Sequence, residues 1–148
     1  MKREKTYSNG KKCPYCGAAV SLRTDASIYG NGDGWLWVCN NYPGCDAYVR
    51  CEPGTCRPLG ILADKKLRRL RMQTHRMLDR IFLDGYMSRD DVYAWLRECV
   101  YDTVTGYHLP GHIAMMSDRQ CLQTISAAKE LYDYYQHLYP TRAGGDAA

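Results

Sequence analysis

Two pairs of closely spaced cysteines in the first third of the chain constrain its fold more than any other feature. Cys13 and Cys16 flank Pro-Tyr, and Cys39 and Cys45 follow after an intervening segment of 22 residues. The first spacing puts two thiolates on one tight turn, and a second turn facing it across a hairpin supplies the four sulfur ligands of tetrahedral zinc. The spacing therefore predicts one structural Zn²⁺ ion held by Cys13, Cys16, Cys39 and Cys45. The alternative is four buried apolar cysteines.

The chain has 8 cysteines among its 148 residues, but it shows no secretory signal and no apolar run of the roughly 18 residues that span a membrane. We therefore expect a cytoplasmic protein that does not contact membranes. Because disulfides do not persist in a reducing compartment, metal binding is favoured over a disulfide framework. Cys51 could replace Cys45 as a ligand, and the role of Cys56 stays open. Cys99 and Cys121 fall on apolar helical faces and are predicted to be core residues.

The segment between the cysteine pairs has the pattern of a zinc ribbon, which is a small antiparallel β-unit. Three short strands are predicted, at Val20–Arg23, Ser27–Tyr29 and Trp35–Val38. Trp35 and Trp37 share one face of the last strand because side chains alternate along it. A unit of this size buries little apolar surface, so zinc binding would supply its folding free energy, on the order of 10 kcal/mol or more.

A helical periodicity replaces this pattern after the ribbon. Apolar residues at steps of three and four predict a helix over about Asp64–Leu83, with Asp64 as its N-cap and Gly85 as its C-terminal cap. Ser88 is the predicted N-cap of a second helix, and a capping box of Ser117 and Gln120 begins a third, longer one.

The predicted fold class is therefore α+β, with a small antiparallel zinc ribbon followed by a three-helix module. Four segments are predicted: a basic N-terminal arm at residues 1–12, the zinc ribbon at 13–58, the helical module at 59–139 and a flexible tail at 140–148.

These motifs carry two resemblances. Cys13-Pro14-Tyr15-Cys16-Gly17, together with Cys39, Tyr42, Pro43 and Cys45, resembles the C-terminal zinc ribbons of bacterial type IA topoisomerases, which implies binding of single-stranded DNA. Most of residues 13–125 is similar to a family of zinc-finger-containing phage and bacterial proteins of unassigned function, which implies a bacterial or phage-infected host cell. The motifs of this second resemblance include Ile28-Tyr29-Gly30, Asp46-Ala47-Tyr48-Val49, Gly54-Thr55, Gly85-Tyr86-Met87-Ser88-Arg89 and Ala94-Trp95-Leu96.

Positive charge is concentrated in two blocks, although the net charge is only +4. One block lies in residues 1–12, and the other lies between Lys65 and Arg80, where a helix would carry a basic stripe opposite its apolar face. Cations beside aromatic rings suit single-stranded nucleic acid, because phosphates need positive charge and unstacked bases need flat rings. We therefore predict a non-enzymatic protein that binds nucleic acid and prefers single-stranded DNA. The predicted contacts are Lys11, Lys12, Trp35, Trp37, Lys65, Arg69, Arg76 and Arg80, with Tyr15, Tyr29 and Tyr42 also available for stacking.

Other interpretations stay open. The basic stripe could be a solvated helix face, and the tryptophans could cover the helical core. Alternatively, Tyr132 and Tyr135 could dock a host protein, which would make the chain a phage-associated adaptor or inhibitor. A metal-dependent nuclease would have to join His75 or His112 to a carboxylate. We consider that less favoured, because a four-cysteine zinc site has no open position for water.

Overall fold

The computed structural model describes residues 12–140 and places a three-stranded antiparallel sheet before a series of helices. The predicted α+β class is confirmed. Lys11 and the rest of the predicted arm up to it, together with residues 141–148 of the predicted tail, lie outside the described residues. Within 12–140, no helix is long and apolar enough to cross a membrane. The chain forms two compact units, one up to Arg68 and one from Arg69 onward.

The sheet of the first unit has the strand order β1-β2-β3. Its strands are β1 (Val20–Thr24), β2 (Trp35–Cys39) and β3 (Tyr48–Arg50). The register places Leu22 opposite Trp37 and Trp37 opposite Val49, so these three side chains share one face. The core of the unit lies on this face and also includes Cys13, Cys39, Ala47, Cys51 and Leu62.

The opposite face of the sheet carries polar and apolar side chains together. Arg23, Leu36 and Arg50 are paired across the three strands on this face, and Val38 and Tyr48 form a second pair. Leu36 and Val38 are fully buried. Side chains on both faces of the central strand are therefore buried: Trp37 on one face, and Leu36 and Val38 on the other.

The predicted strand at Ser27–Tyr29 is wrong, because these residues belong to a short helix, α1 (Asp25–Tyr29). The backbone N–H of Ser27 donates to the Thr24 hydroxyl at 3.3 Å, which caps the helix start. Gly30 ends the helix in the left-handed conformation, with φ at 85°. These local caps outweigh the β-propensity of Ile and Tyr.

Three long helices and one 3₁₀ turn follow. They are α2 (Lys65–Leu83), α3 (Arg89–Cys99), the 3₁₀ turn (Ile113–Met115) and α4 (Asp118–Leu138). The predicted caps are present: the Leu67 amide donates to the Asp64 carboxylate at 2.9 Å, and the Asp91 amide donates to the Ser88 hydroxyl at 3.0 Å. Ser117 forms the predicted capping box with its partner at the third position of α4.

The core of the second unit is formed by side chains from all of these helices. Fully buried residues include Thr74, Leu78, Ile81, Val92, Leu96, Met116, Cys121, Thr124 and Ala128. The core position predicted for Cys121 is confirmed. That predicted for Cys99 is wrong: its side chain is exposed at the last position of α3, and the next residue, Val100, is buried instead.

Candidate metal centre and nucleic-acid surface

The four cysteines of the two N-terminal pairs converge on one point. The Sγ atoms of Cys13, Cys16, Cys39 and Cys45 all lie within 4.8 Å of one another. Cys13 and Cys45 are 3.7 Å apart at sulfur, and Cys16 and Cys39 are 3.4 Å apart. Tetrahedral zinc with bonds of about 2.3 Å separates its sulfur ligands by about 3.8 Å. The cluster therefore fits one zinc ion, and no second group of this kind occurs in residues 12–140.

Each sulfur of the cluster also accepts a hydrogen bond from a nearby backbone amide. The amide belongs in each case to the residue two positions after the cysteine: Tyr15 for Cys13, Ala18 for Cys16, Asn41 for Cys39 and Ala47 for Cys45. The side-chain amide of Asn41 donates to Cys16 as well, at 3.4 Å. These donors stabilise thiolates, which are the form that binds zinc.

The metal-free thiols differ in their readiness to ionise. The Ala18 amide and the hydrogen bond with Cys39 lower the pKa of Cys16 to about 7. Burial raises the pKa of Cys39 to about 12 and also raises the pKa of Cys45. Because zinc requires deprotonated sulfur, binding must release protons, and affinity must fall at acid pH.

The two cysteines that the sequence left open lie outside the cluster. Cys51 is buried in the core of the first unit and pairs with Pro58 in an isolated β-bridge. Burial raises the pKa of its thiol to about 11. The backbone carbonyl of Cys56 accepts a hydrogen bond from the Trp37 indole at 2.7 Å. Cys45 therefore completes the ligand set, and Cys51 does not replace it.

Of the two tryptophans predicted to contact nucleic acid, only Trp35 is accessible. Trp35 is 40% exposed, whereas Trp37 is 1% exposed. The Trp37 ring fills the core beneath the sheet and its indole N–H is already bonded to a carbonyl, so it has no face for a base. The prediction for Trp37 is thus wrong, because this small unit uses the Trp37 ring to build its own core. Lys12, beside the first cysteine, is exposed.

The basic stripe of α2 lies on the surface. Lys65 is in the first unit, and Arg69, Arg76 and Arg80 are in the second. All four side chains are exposed, and none forms an ion pair with a carboxylate of residues 12–140. Arg80 donates to the Tyr132 hydroxyl at 3.0 Å and lies over its ring.

A set of alternating tyrosine and arginine side chains covers part of the first unit, and we call it the Tyr–Arg array. Its members are Tyr29, Tyr42, Tyr48, Arg23, Arg50 and Arg68. The Tyr48 ring meets Tyr29 and Tyr42 edge-on, with centroids 5.9 and 6.4 Å apart. One guanidinium lies over each ring, at 4.9 Å for Tyr29, 5.6 Å for Tyr42 and 3.9 Å for Tyr48.

The arginines of this array differ in how far they are engaged. Arg68 bonds to the Asp46 carboxylate at 3.2 Å and to the Ala63 carbonyl at 2.6 Å, so its role is structural. Arg50 approaches Asp25 at 3.6 Å but leaves 56% of its side chain exposed. Arg23 forms no ion pair within the described part of the chain. The sequence pattern identified two of the three tyrosines but none of these arginines, because strand register brings Arg23 and Arg50 to one face and Arg68 comes from α2.

The tyrosines predicted to dock a host protein are engaged within the second unit. Tyr132 is 5% exposed, and its hydroxyl donates to the Asp84 carboxylate. Tyr135 stacks on Tyr86, with ring centroids 5.3 Å apart. Tyr132 is therefore not available to a partner, because it closes the packing of α4 against α2.

The two histidines considered for a nuclease belong to the second unit and are not part of the cysteine cluster. His75 lies 3.5 Å from the Tyr93 hydroxyl, and burial lowers its pKa. His112 is the residue before the 3₁₀ turn. Neither belongs to a group of three metal-binding side chains among the described residues.

Comparison with known proteins identifies one family. The family DUF3268, described as a zinc-finger-containing domain, matches residues 9–131, which is more than half of the chain. No curated protein and no solved structure matches the chain significantly. The predicted resemblance to zinc-finger-containing proteins is thereby confirmed, while the likeness to topoisomerase ribbons and the association with phages stay predictions.

Proposed function

Because the chain belongs to the DUF3268 family of zinc-finger-containing domains, we propose that its zinc-bound first unit is a module that binds single-stranded nucleic acid, with single-stranded DNA preferred. The four-cysteine cluster fits one zinc ion. With all four positions taken by sulfur, the ion's task is structural: it holds both cysteine turns, and therefore the sheet, in place.

The Tyr–Arg array carries this proposal. Single-stranded nucleic acid is bound by aromatic rings that stack with bases and by cations that neutralise phosphates, and the two must alternate over a few ångströms. Tyr29 is 42% exposed, and the neighbouring Arg50 and Arg23 provide positive charge within 6 Å of a ring. Trp35 is also exposed and provides an aromatic contact outside the array.

Single strands are preferred over duplexes because the accessible rings need unpaired bases. In a duplex, the base faces are stacked on one another and only groove edges are available. Lys12 and Lys65, exposed cations of the first unit, would extend the path of the phosphate backbone in either case. The proposed role is binding without catalysis, and association with a phage enters only through the resemblance.

Fluorescence anisotropy with a labelled 20-nucleotide strand, alone and as a duplex, tests the proposal. We expect tighter binding of the single strand and an affinity that falls with salt. Arg23→Glu should weaken binding and reduce the salt slope by about 0.7. Tyr29→Leu should cost about 1–3 kcal/mol if one base stacks on it.

Arg57→Glu is the matched control, because Arg57 is an exposed arginine of the same unit that lies outside the array and pairs with Glu52 at 3.7 Å. It should change affinity much less than Arg23→Glu. Absence of binding at about 50 mM salt, where phosphate contacts are strong, would contradict the proposed function. Equal affinities for the single strand and the duplex would contradict the proposed preference for single-stranded DNA.

A further inference from the structure

An open groove runs along the second unit between α2 and α4. It has a volume of about 710 Å³ and continues into a smaller one of about 300 Å³ toward the end of α4. The α2 wall extends from Gln73 to Leu83, about 15 Å of helix at 1.5 Å per residue. The groove is therefore long enough for about three turns of another helix.

The floor of the groove is apolar and its rim is basic. Met77 and Ile125, which are half-buried, form the floor, and Leu83 is an apolar lining residue that leaves 71% of its surface exposed. The cations Arg76, Arg80 and Lys129 stand along both helices. No segment of residues 12–140 fills the groove over these apolar side chains.

The charge of the rim is not balanced by the groove's own carboxylates. Of the described lining residues of the larger groove, three are cations and one, Asp79, is acidic, and Asp79 is itself 4.0 Å from Arg89. Asp133 lines only the smaller groove. Arg76 and Lys129 form no ion pair among residues 12–140. An occupant with negative charge on either side of an apolar stripe would complement both the floor and the rim.

We propose that this groove binds an acidic amphipathic helix of a partner protein. Its apolar residues, spaced at i, i+3 and i+7, would contact Met77, Leu83 and Ile125, and flanking Glu or Asp residues would pair with Arg76, Arg80 and Lys129. This partner surface is separate from the Tyr–Arg array, and it does not depend on nucleic-acid binding.

The lining favours a peptide over a nucleic acid strand. Among residues 12–140, no aromatic ring lines the larger groove, so bases have nothing to stack on. Tyr132, which lines the smaller groove, is 5% exposed and bonded to Asp84 and Arg80. Aliphatic and thioether side chains in a groove between two helices instead match the apolar face of a third helix.

Selection from a displayed library of random 16-residue peptides, against the full zinc-loaded chain, tests the proposal. We expect enriched peptides that combine acidic residues with helically spaced apolar ones. Arg76→Glu and Lys129→Glu should each lower the affinity for the best peptide about tenfold, and Leu83→Ser should lower it about fivefold. Leu83 is exposed enough for its replacement to leave the fold intact, which the melting temperature verifies.

Two matched controls separate this groove from general charge and apolarity. Arg69→Glu makes the same charge change on α2 outside the groove, and Val104→Ser removes an apolar side chain of similar exposure, 69%. Neither variant should change the affinity for the peptide. Enriched peptides without acidic residues, or equal losses from Arg69→Glu and Arg76→Glu, would overturn the proposal. So would displacement of the peptide by single-stranded DNA, which would make the groove part of the nucleic-acid surface.

Discussion

The Sγ atoms of Cys16 and Cys39 lie 3.4 Å apart, although the two residues are 23 positions apart in the chain. The strand register explains how they meet. Cys39 is the last residue of β2 and stands opposite Val20, the first residue of β1, so the sheet itself brings the second cysteine turn to the first. The zinc site and the pairing of β1 with β2 therefore stabilise one another.

Loss of a zinc ligand should unfold the first unit. We expect Cys39→Ser to abolish stoichiometric zinc binding and to remove the sheet signal in circular dichroism, because metal binding supplies on the order of 10 kcal/mol of folding free energy in such units. Zinc content by mass spectrometry and the far-ultraviolet spectrum measure both effects. Cys56→Ser is the control and should retain one zinc ion per chain, because only the backbone carbonyl of Cys56 is used.

The two tryptophans of β2 should respond differently to truncation. Trp37→Ala removes a fully buried ring and should lower the free energy of unfolding by about 3–5 kcal/mol. Trp35→Ala removes a ring that is 40% exposed. It should leave the free energy of unfolding nearly unchanged but weaken the binding of single-stranded DNA. Urea unfolding and anisotropy distinguish these outcomes. A large loss of stability from Trp35→Ala would be inconsistent with its exposure.

The capping box at the start of α4 gives a test of the helical unit. Ser117→Ala removes the hydroxyl that accepts from the Gln120 amide at 3.2 Å and should cost about 1 kcal/mol. Ser126→Ala, at an exposed position inside the same helix, should be neutral or slightly stabilising, because alanine is the better helix former. Thermal unfolding of both variants measures the difference, and equal effects would contradict the capping role.

Acid should destabilise the second unit through Asp102. This carboxylate is 1% exposed and accepts hydrogen bonds from Arg119, from Gln120 at 3.0 Å and from the Val104 amide at 2.9 Å. The Arg119 guanidinium and these donors hold its pKa well below its usual range. The unfolded chain, with a pKa of about 3.9, therefore binds protons first. The stabilisation is present above about pH 4 and is lost as the pH falls through the folded-state pKa.

Asp102→Asn should remove much of this acid dependence and lower stability at neutral pH, because Arg119 loses its anionic partner. Glu98→Gln, at an exposed carboxylate of α3, is the control and should preserve the pH profile. Chemical unfolding between pH 2 and pH 7 compares the three chains. An unchanged profile in Asp102→Asn would show that another group governs acid unfolding.

Local sequence signals predicted most of the secondary structure of this protein. The four cysteines were predicted as ligands from their spacing, and the helices were predicted from their periodicity and from the caps at Asp64, Ser88 and Ser117. The caps could be predicted because hydrogen bonds within a few residues determine them, and the ligands could be predicted because the spacing within each cysteine pair is typical of a zinc-binding turn. The wrong prediction of a strand at Ser27–Tyr29 also has a local cause, because Thr24 caps the start of a short helix there and Gly30 ends it.

Which side chains are buried and which are accessible follows from packing between distant parts of the chain. Trp35 and Trp37 are equivalent in the sequence pattern, but packing buries one and leaves the other at the surface. Arg23 and Arg50 join the tyrosines because strand register places them on one face, and the basic groove exists because α4 packs beside α2. Such relationships depend on contacts between residues far apart in the chain, which spacing and periodicity do not encode. Cysteine spacing and helical periodicity were therefore enough to predict the metal cluster and the helices, whereas the Tyr–Arg array and the groove depend on packing.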